Sequence, residues 1–162
     1  MKLIAALMVA ISLSQPHMGR GLRKMYAEHL LHESQRYQVD PFLVAAIIHH
    51  ESRWTAGVIG GEKGQCIGLG QHCLSSLSIC RDINSAGCQT EKARLLDPLW
   101  NITRTFQHLR KWKAYCRHKT GRSLEHHILQ GYQGFGTMTR VCGQHQVHGQ
   151  WVDVLLPKMT RD

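Results

Sequence analysis

The sequence has no apolar run long enough to cross a membrane. Its main apolar stretch, Leu3–Leu13, is about half of the roughly twenty residues that a transmembrane helix needs. Internal repeats and low-complexity tracts are absent as well. Hydrophobic residues make up 43% of the chain and charged residues 19%, as in ordinary globular proteins. These features exclude a multi-span membrane protein, a collagen and a wholly disordered chain.

Acidic residues are scarce. The 162 residues include 11 Asp and Glu against 20 Lys and Arg, for a formal charge of +9. That length favours a single domain. The positive excess predicts an anionic partner, which could be nucleic acid, a membrane surface or an acidic polymer. Charge alone does not choose among these three.

The N-terminus has the pattern of a secretory signal peptide. Lys2 precedes the apolar stretch, and Ser12-Leu13-Ser14 offers small residues at the positions that a cleavage site requires. We therefore predict a signal peptide at residues 1–14 and a mature domain at residues 15–162. The alternative is a buried N-terminal helix. Because no cysteine directly follows the apolar stretch, a lipid anchor is not expected. Export predicts a periplasmic or secreted protein.

The cysteines number six, and all of them lie in the predicted mature domain. An oxidising compartment favours disulfides, although the sequence alone leaves many pairings open. We expect the first four cysteines to staple one long loop region and Cys116 to pair with Cys142. A zinc site is the competing interpretation. Because no cysteine or histidine pair has convincing ligand spacing, we predict no metal and no cofactor.

Two Asp-Pro pairs mark the clearest helices. Residues 17–38 show apolar positions at helical spacing. Asp40 then caps a helix with Pro41 at its first position, and this helix runs to about Ser52. It is apolar nearly all round, which predicts a position in the middle of the domain. The second pair begins a helix over 97–120 with one apolar stripe and one basic, solvated face.

The remaining segments are less regular. Thr55–Gly64 is rich in glycine and predicts a loop. We expect a short helix from Leu69 to about Leu77, irregular or briefly helical chain over 78–95, a helix from Ser123 and a short one near 151–156. No alternating strand pattern is present. The predicted fold is all-α or α-dominated, in one domain with disulfide-stapled loops.

Glu51 is the first candidate for chemistry, because it ends an apolar helix. Desolvation and the negative end of the helix dipole both raise the pKa of such a carboxyl group. A carboxylic acid that keeps its proton near neutral pH can act as a general acid. In the alternative interpretation, Glu51 lies on the wet face and pairs with Arg53 or Lys63.

Four motifs occur in a specific order. They are Glu51-Ser52, Gly68-Leu69-Gly70-Gln71, Asp97-Pro98-Leu99-Trp100-Asn101-Ile102 and Gly131-Tyr132-Gln133-Gly134. In this order and at these spacings the set resembles the soluble lytic transglycosylase family, over about residues 37–136. The resemblance implies a lysozyme-like helical fold and cleavage of bacterial peptidoglycan.

The resemblance also implies roles for single residues. Glu51 matches the catalytic glutamate, and Ser52 matches the serine that supports its geometry. The loop that lines the sugar groove is matched by Gly68, Leu69 and Gln71, with Gly70 in place of the usual Met. Tyr132 matches a tyrosine whose hydroxyl lies near the glutamate. Gln133 takes the place of an asparagine in the same motif, and both are expected to contact substrate.

The implied mechanism needs one carboxyl group. Glu51 would protonate the glycosidic oxygen between N-acetylmuramic acid and N-acetylglucosamine, then accept the proton of the muramic 6-hydroxyl as it closes a 1,6-anhydro ring. Ordinary glycosidases use two carboxylates. Glu62 and Asp82 are candidates for a second one, unless they are solvated loop charges. If either enters the groove, a hydrolase like goose-type lysozyme becomes the alternative.

Other functions stay open beside the enzyme. The same fold could form a non-catalytic module that binds the wall, and a small disulfide-rich toxin is a third hypothesis. The implied partners are peptidoglycan glycan strands, with a secretion, conjugation or pilus machine for local opening of the wall. Nucleic acid is not expected, because no recognised aromatic and basic module is present. No stable membrane span is expected after signal cleavage.

Three side chains beside Glu51 have ordinary explanations. Neighbouring residues on a helix face different directions, so at most one of His49 and His50 should approach the carboxyl group. Trp54 either stacks on a sugar ring or packs below the helix.

Overall fold

The computed structural model describes residues 2–61, 65–121 and Cys142, and within them helices dominate. The helices are α1 (Lys2–Ser14), α2 (Arg20–Tyr37), α3 (Pro41–Ser52), α4 (Ala86–Leu96) and α5 (Pro98–Thr120). The strands are β1 (Ile59–Gly60), β2 (Cys66–Ile67) and β3 (His72–Cys73), paired antiparallel in the order β1-β2-β3. Two 3-10 turns follow, Leu74–Ser76 and Ser78–Cys80. The prediction of a helix-dominated domain is confirmed.

Helix α3 forms the centre of the main core, as its apolar sequence predicts. The Asp40 carboxylate accepts a hydrogen bond from the Phe42 N–H at 2.8 Å, and Pro41 occupies the first helical position. Every residue from Pro41 to Ile48 is buried. The helix ends where Arg53 adopts a left-handed conformation, with φ at 49°. Its last turn, which carries Glu51, is therefore held against the core at a fixed position.

Helix α5 also begins and ends as predicted. The Asp97 carboxylate accepts from the Trp100 N–H at 2.7 Å, and Gly121 ends the helix with φ at 70°. Its apolar stripe is fully buried at Ile102, Phe106 and Leu109. On α2, His29 Nε2 lies 2.9 Å from both the Leu99 carbonyl and the Thr103 hydroxyl, which ties α2 to α5.

One local prediction is wrong in the segment between α3 and α5. The expected helix over 69–77 is absent, because the chain turns at Gly68–Gln71, enters β3 and makes only the short turn Leu74–Ser76. Pairing of β2 with β3 explains this difference, because these residues satisfy backbone groups across the hairpin. The next region, expected to be irregular or briefly helical, contains α4, which Ser85 caps by accepting from the Cys88 N–H at 3.2 Å.

The disulfides join Cys66 to Cys73, Cys80 to Cys88 and Cys116 to Cys142. The expected pairing is confirmed: the first four cysteines staple the region between α3 and α5. The first bridge also links the facing residues of β2 and β3. The third bridge ties Cys142 to the last turns of α5.

The N-terminal segment is helix α1, which packs against α2 and α3. Leu7, Ala10 and Ile11 are buried in the main core, and the Ser14 hydroxyl forms a hydrogen bond with His49 Nδ1. Cleavage after Ser14 stays a prediction. No helix among the described residues is both long and apolar enough to span a membrane. The helices expected from Ser123 and near 151–156 lie outside the described residues.

Candidate active site

Glu51 lies in the last turn of α3, where its side chain is 22% exposed. Burial raises the pKa of its carboxyl group, while the neighbouring His50 lowers it in opposition. His50 Nδ1 stands 3.7 Å from Glu51 Oε1, too far for a good hydrogen bond but within ion-pair reach. Burial is the larger of the two effects, so the net shift raises the pKa of Glu51, which is the direction that a general acid requires.

His49 and His50 face different surroundings. The His49 ring bonds to the Ser14 hydroxyl, and burial together with the charges of Arg53 and His50 lowers its pKa. His50 is exposed and forms the ion-pair contact with Glu51. Within the described part of the chain, Arg53 makes no such contact with Glu51. One of the two histidines therefore approaches the carboxyl group, as expected.

Ser52 is buried directly after the glutamate. Its hydroxyl donates to the Ile48 carbonyl at 3.1 Å, which fastens the last turn of α3. Its own carbonyl accepts from the Thr55 N–H at 3.0 Å. The predicted supporting role is compatible with this position, since the hydroxyl holds the turn that carries Glu51.

Backbone hydrogen bonds connect this turn to the glycine loop. From Thr55, the next link is the Val58 N–H, which donates to the Thr55 carbonyl at 3.3 Å. The Val58 carbonyl in turn accepts from the Gly68 N–H at 2.8 Å. Leu69 is completely buried in the same core cluster as Ile47 on α3. The loop Gly68–Gln71 and the glutamate-bearing helix are therefore parts of one connected unit.

Asn101, in the first turn of α5, fixes the loop Gly68–Gln71 by side-chain hydrogen bonds. Its amide nitrogen donates to the carbonyls of Ile67 at 3.0 Å and Leu95 at 2.8 Å. Its oxygen accepts from the Gly70 N–H at 2.7 Å. Because Asn101 is fully buried, all three bonds are shielded from water. The motif contained this asparagine, but nothing in the sequence alone identified its partners.

Gly68 is required at its position for two reasons. Its φ is 76°, a conformation that side chains other than glycine rarely adopt. A Cβ there would lie 2.6 Å from the Leu95 carbonyl oxygen and would collide with the Asn101 amide. The absent side chain lets the loop approach α5 closely.

The other predicted loop residues divide between core and surface. The buried Leu69 side chain supports the loop from the core side. Gln71 is half-buried, and its amide nitrogen donates to the carbonyls of Val58 at 3.2 Å and Gly68 at 2.9 Å. Its position fixes the end of the loop. Gly70 offers no side chain where the family has Met.

Several sequence candidates have other placements. Trp54 is only 4% exposed and stacks on Tyr26 with ring centroids 5.7 Å apart, so it packs below the helix. Asp82 is exposed and accepts from the Asn84 N–H at 2.9 Å, which makes it a local turn residue. Tyr132, Gln133 and Glu62 lie outside the described residues.

Among residues 2–61 and 65–121 with Cys142, no three His, Cys, Asp or Glu side chains group closely enough to hold a metal ion.

Comparison with known proteins shows the family of this chain. The family model of the transglycosylase SLT domain matches residues 29–146, which is most of the chain and includes all four motifs. Among curated proteins and among solved structures, nothing matches. The family fold is lysozyme-like, and its substrate is the peptidoglycan of the cell wall. The chain therefore belongs to the transglycosylase SLT domain family.

Proposed function

We propose that this protein is an exported lytic transglycosylase that cleaves the β-1,4 bond between N-acetylmuramic acid and N-acetylglucosamine. The observation that carries the proposal is the position of Glu51. Its carboxyl group is partly buried at the end of α3, and burial raises its pKa. Hydrogen bonds join the same turn to the glycine loop that would line the sugar groove.

The reaction needs a group that first gives and then takes one proton. Protonated Glu51 donates to the glycosidic oxygen as the bond to the anomeric carbon breaks. The resulting carboxylate then removes the proton of the muramic 6-hydroxyl, whose oxygen bonds to the anomeric carbon. Glu51 regains its proton, and the muramic acid leaves as a 1,6-anhydro sugar. Atoms balance without water, since the nucleophile belongs to the substrate.

The proposed reaction needs one acid, whereas hydrolysis needs a second carboxylate, and the candidate Glu62 lies outside the described residues. An ordinary glycosidase needs a second carboxylate to activate water or to attack the sugar. Asp82, one of the two candidates, uses its carboxylate to accept from its own turn. His50 is the group that forms an ion-pair contact with Glu51 within the described part of the chain.

Glu51→Gln tests the role of the acid. The amide keeps the shape of the side chain but has no carboxyl proton to give, so we expect cleavage of purified peptidoglycan to be abolished while the protein stays folded. Glu28→Gln is the matched control, because Glu28 is an exposed helix residue that pairs with Lys24. Retained cleavage by the Glu51→Gln variant would contradict the catalytic role and favour a non-catalytic module.

Mass spectrometry of the released sugars tests the reaction type. A transglycosylase yields muramic products that are one water lighter than hydrolysis products. Products of full hydrolysed mass would contradict the proposal and identify a hydrolase like goose-type lysozyme.

Export and local opening of the wall complete the proposal. Three disulfides suit an extracytoplasmic compartment, and the basic face of α5 suits work beside an anionic envelope. We propose that residues 1–14 are removed on export and that the enzyme serves a secretion, conjugation or pilus machine. Cell fractionation and N-terminal sequencing of the exported protein test cleavage after Ser14. A protein that retains Met1 in the envelope would contradict it.

A further inference from the structure

A cavity lies beside β3 and α5. It has a volume of about 430 Å³, and Glu51 is not among the described residues that line it. Its lining includes His72, Ser76, Arg104, His108, Lys111 and Trp112. We refer to it as the α5 cavity. Its residues play no part in the reaction proposed above, so its chemistry needs a separate explanation.

The α5 cavity carries positive charge. Arg104 and Lys111 are seven residues apart on α5, two helical turns along one face. No carboxylate is among its described lining residues, and neither cation forms an ion pair within the described chain. Arg104 donates instead to the neutral Gln107 amide oxygen at 3.2 Å. Two cations with no acid among the described lining residues create a field that attracts an anionic ligand.

One wall of the α5 cavity is a row of flat rings. The centroids of His72 and His108 are 6.3 Å apart, those of His108 and Trp112 are 6.4 Å apart, and those of Trp112 and Tyr115 are 5.8 Å apart. The Trp112 N–H donates to His108 Nε2 at 3.0 Å, which fixes the orientation of both rings. Such a wall packs against apolar groups of a ligand.

The two histidines of this wall are neutral at physiological pH. Burial lowers the pKa of His72 to about 3. Burial, with the charges of Arg104 and Lys111, lowers that of His108 to about 4. The charge of the cavity therefore comes from Arg104 and Lys111.

The α5 cavity adjoins the glycine loop along the chain. His72, which lines the cavity, directly follows Gln71, the last residue of that loop, so their Cα atoms are about 3.8 Å apart. An extended peptide of three residues spans roughly 10 Å, which exceeds this separation. These two lengths support a proposal in which a short branch of a glycan strand seated at the loop enters the cavity.

We propose that the α5 cavity binds the short acidic peptide that branches from muramic acid, with its carboxylates on Arg104 and Lys111. This inference rests on the proposed function, because it assumes that a peptidoglycan strand occupies the neighbouring groove. Cations hold carboxylates by charge-assisted hydrogen bonds, and the ring wall contacts the apolar parts of the peptide. The cavity thereby gives the enzyme a preference for peptide-bearing strands.

Calorimetric titration tests this binding directly. The full-length Glu51→Gln variant is titrated with a soluble disaccharide carrying its peptide, with the same compound after amidation of its carboxylates, and with the peptide-free disaccharide. We expect the acidic compound to bind most tightly. Removal of each charge-assisted contact weakens binding by about tenfold. Equal affinities for the three ligands would overturn the proposal.

A charge-matched pair of variants locates the binding. Arg104→Gln/Lys111→Gln removes both cations of the cavity, and Arg110→Gln/Lys113→Gln removes two cations elsewhere on α5. Arg110 and Lys113 donate to the carbonyls of Arg36 and Gln38, at 3.3 and 2.7 Å. We expect only the first pair to weaken binding of the acidic compound. Equal loss in both pairs would indicate general charge attraction and overturn the proposal.

A single variant and a comparison of cleavage rates distinguish a folding defect from a loss of peptide binding. Because Lys111 is exposed, Lys111→Gln alone tests the site if the double variant does not fold. Peptide-free strands should be cleaved equally by the wild type and by Arg104→Gln/Lys111→Gln, with loss of cleavage confined to peptide-bearing strands. Equal cleavage of both strand types by the double variant would overturn the cavity proposal and leave the proposed function intact. Wild-type protein that cleaves neither would contradict the proposed function, whereas the titration would still report on the cavity.

Discussion

The side-chain oxygen of Asn101 accepts a hydrogen bond from the Gly70 N–H at 2.7 Å, and its amide nitrogen donates to two backbone carbonyls. One buried side chain therefore fixes the glycine loop against α5. Asn101→Ala leaves three buried backbone groups without these partners. We expect a loss of about 3 kcal/mol or more in the free energy of unfolding. Urea titration of the purified protein measures it.

Asp97→Ala is the control for Asn101. It removes the cap of the same helix and should cost only about 1 kcal/mol, because its contact to Trp100 lies at an exposed helix end. At temperatures where both variants are folded, Asn101→Ala should also raise KM for glycan strands, whereas Asp97→Ala should not. Equal stability losses and equal KM values would mean that Asn101 acts only as a generic part of α5.

Gly68→Ala should be strongly destabilising. It combines a positive φ with a collision against the Leu95 carbonyl and the Asn101 amide. We expect a loss of about 2 kcal/mol or more in the free energy of unfolding. Gly57→Ala is the matched control, since a Cβ there meets nothing within 4 Å. Similar stability of the two variants in thermal unfolding would contradict the close approach of the loop to α5.

His50→Gln should change the pH dependence of cleavage. Burial raises the pKa of Glu51, and His50 lowers it. Removal of the imidazole takes away the lowering effect, so the pKa of Glu51 should rise further. A general acid acts in its protonated form, so the alkaline limb of kcat/KM should move to higher pH. His32→Gln on α2 is the control, because His32 pairs with Glu33. A shift to lower pH, or equal profiles, would contradict the coupling.

His72 and His108 should make the protein sensitive to acid. Their pKa values in the folded state are about 3 and about 4, below the ordinary 6.5. Between pH 6.5 and 4 both histidines bind protons in the unfolded chain but stay neutral in the folded chain. The free energy of unfolding therefore falls as the pH falls. The slope approaches about 1.4 kcal/mol per pH unit for each histidine.

Urea unfolding at a series of pH values measures this slope. His108→Gln should flatten it, because glutamine keeps an acceptor for the Trp112 N–H but does not titrate. His118→Gln, at an exposed position in the last turn of α5, is the control. Parallel curves for His108→Gln and the wild type would contradict the assignment.

The sequence predicted those parts of the fold that depend on local signals. Helices α3 and α5 begin at Asp-Pro pairs whose carboxylates cap the next turn, and their stripes are buried as the spacing indicates. The place of Glu51 at the end of an apolar helix follows from the same local signals, whereas its catalytic role stays a prediction.

The parts that were missed depend on distant partners. Strands of two residues are too short to show alternation, and Cys66 and Cys73 set their register. Asn101 contacts Gly70 across 31 positions, a relationship that no local pattern reports. Helix α4 is longer than the brief helix that the sequence predicts, and the bridged Cys88 lies on its buried face. Long-range pairing therefore sets the position of the glycine loop, whereas local sequence sets the helix end that carries Glu51.

The Cys66–Cys73 bridge encloses the whole segment Gly68–Gln71 within one covalent ring. Where thiols are kept reduced, that ring is open and the segment depends on its hydrogen bonds alone. Under the proposed export, the bridge therefore closes only in the oxidising outer compartment, which is also where the proposed peptidoglycan substrate lies.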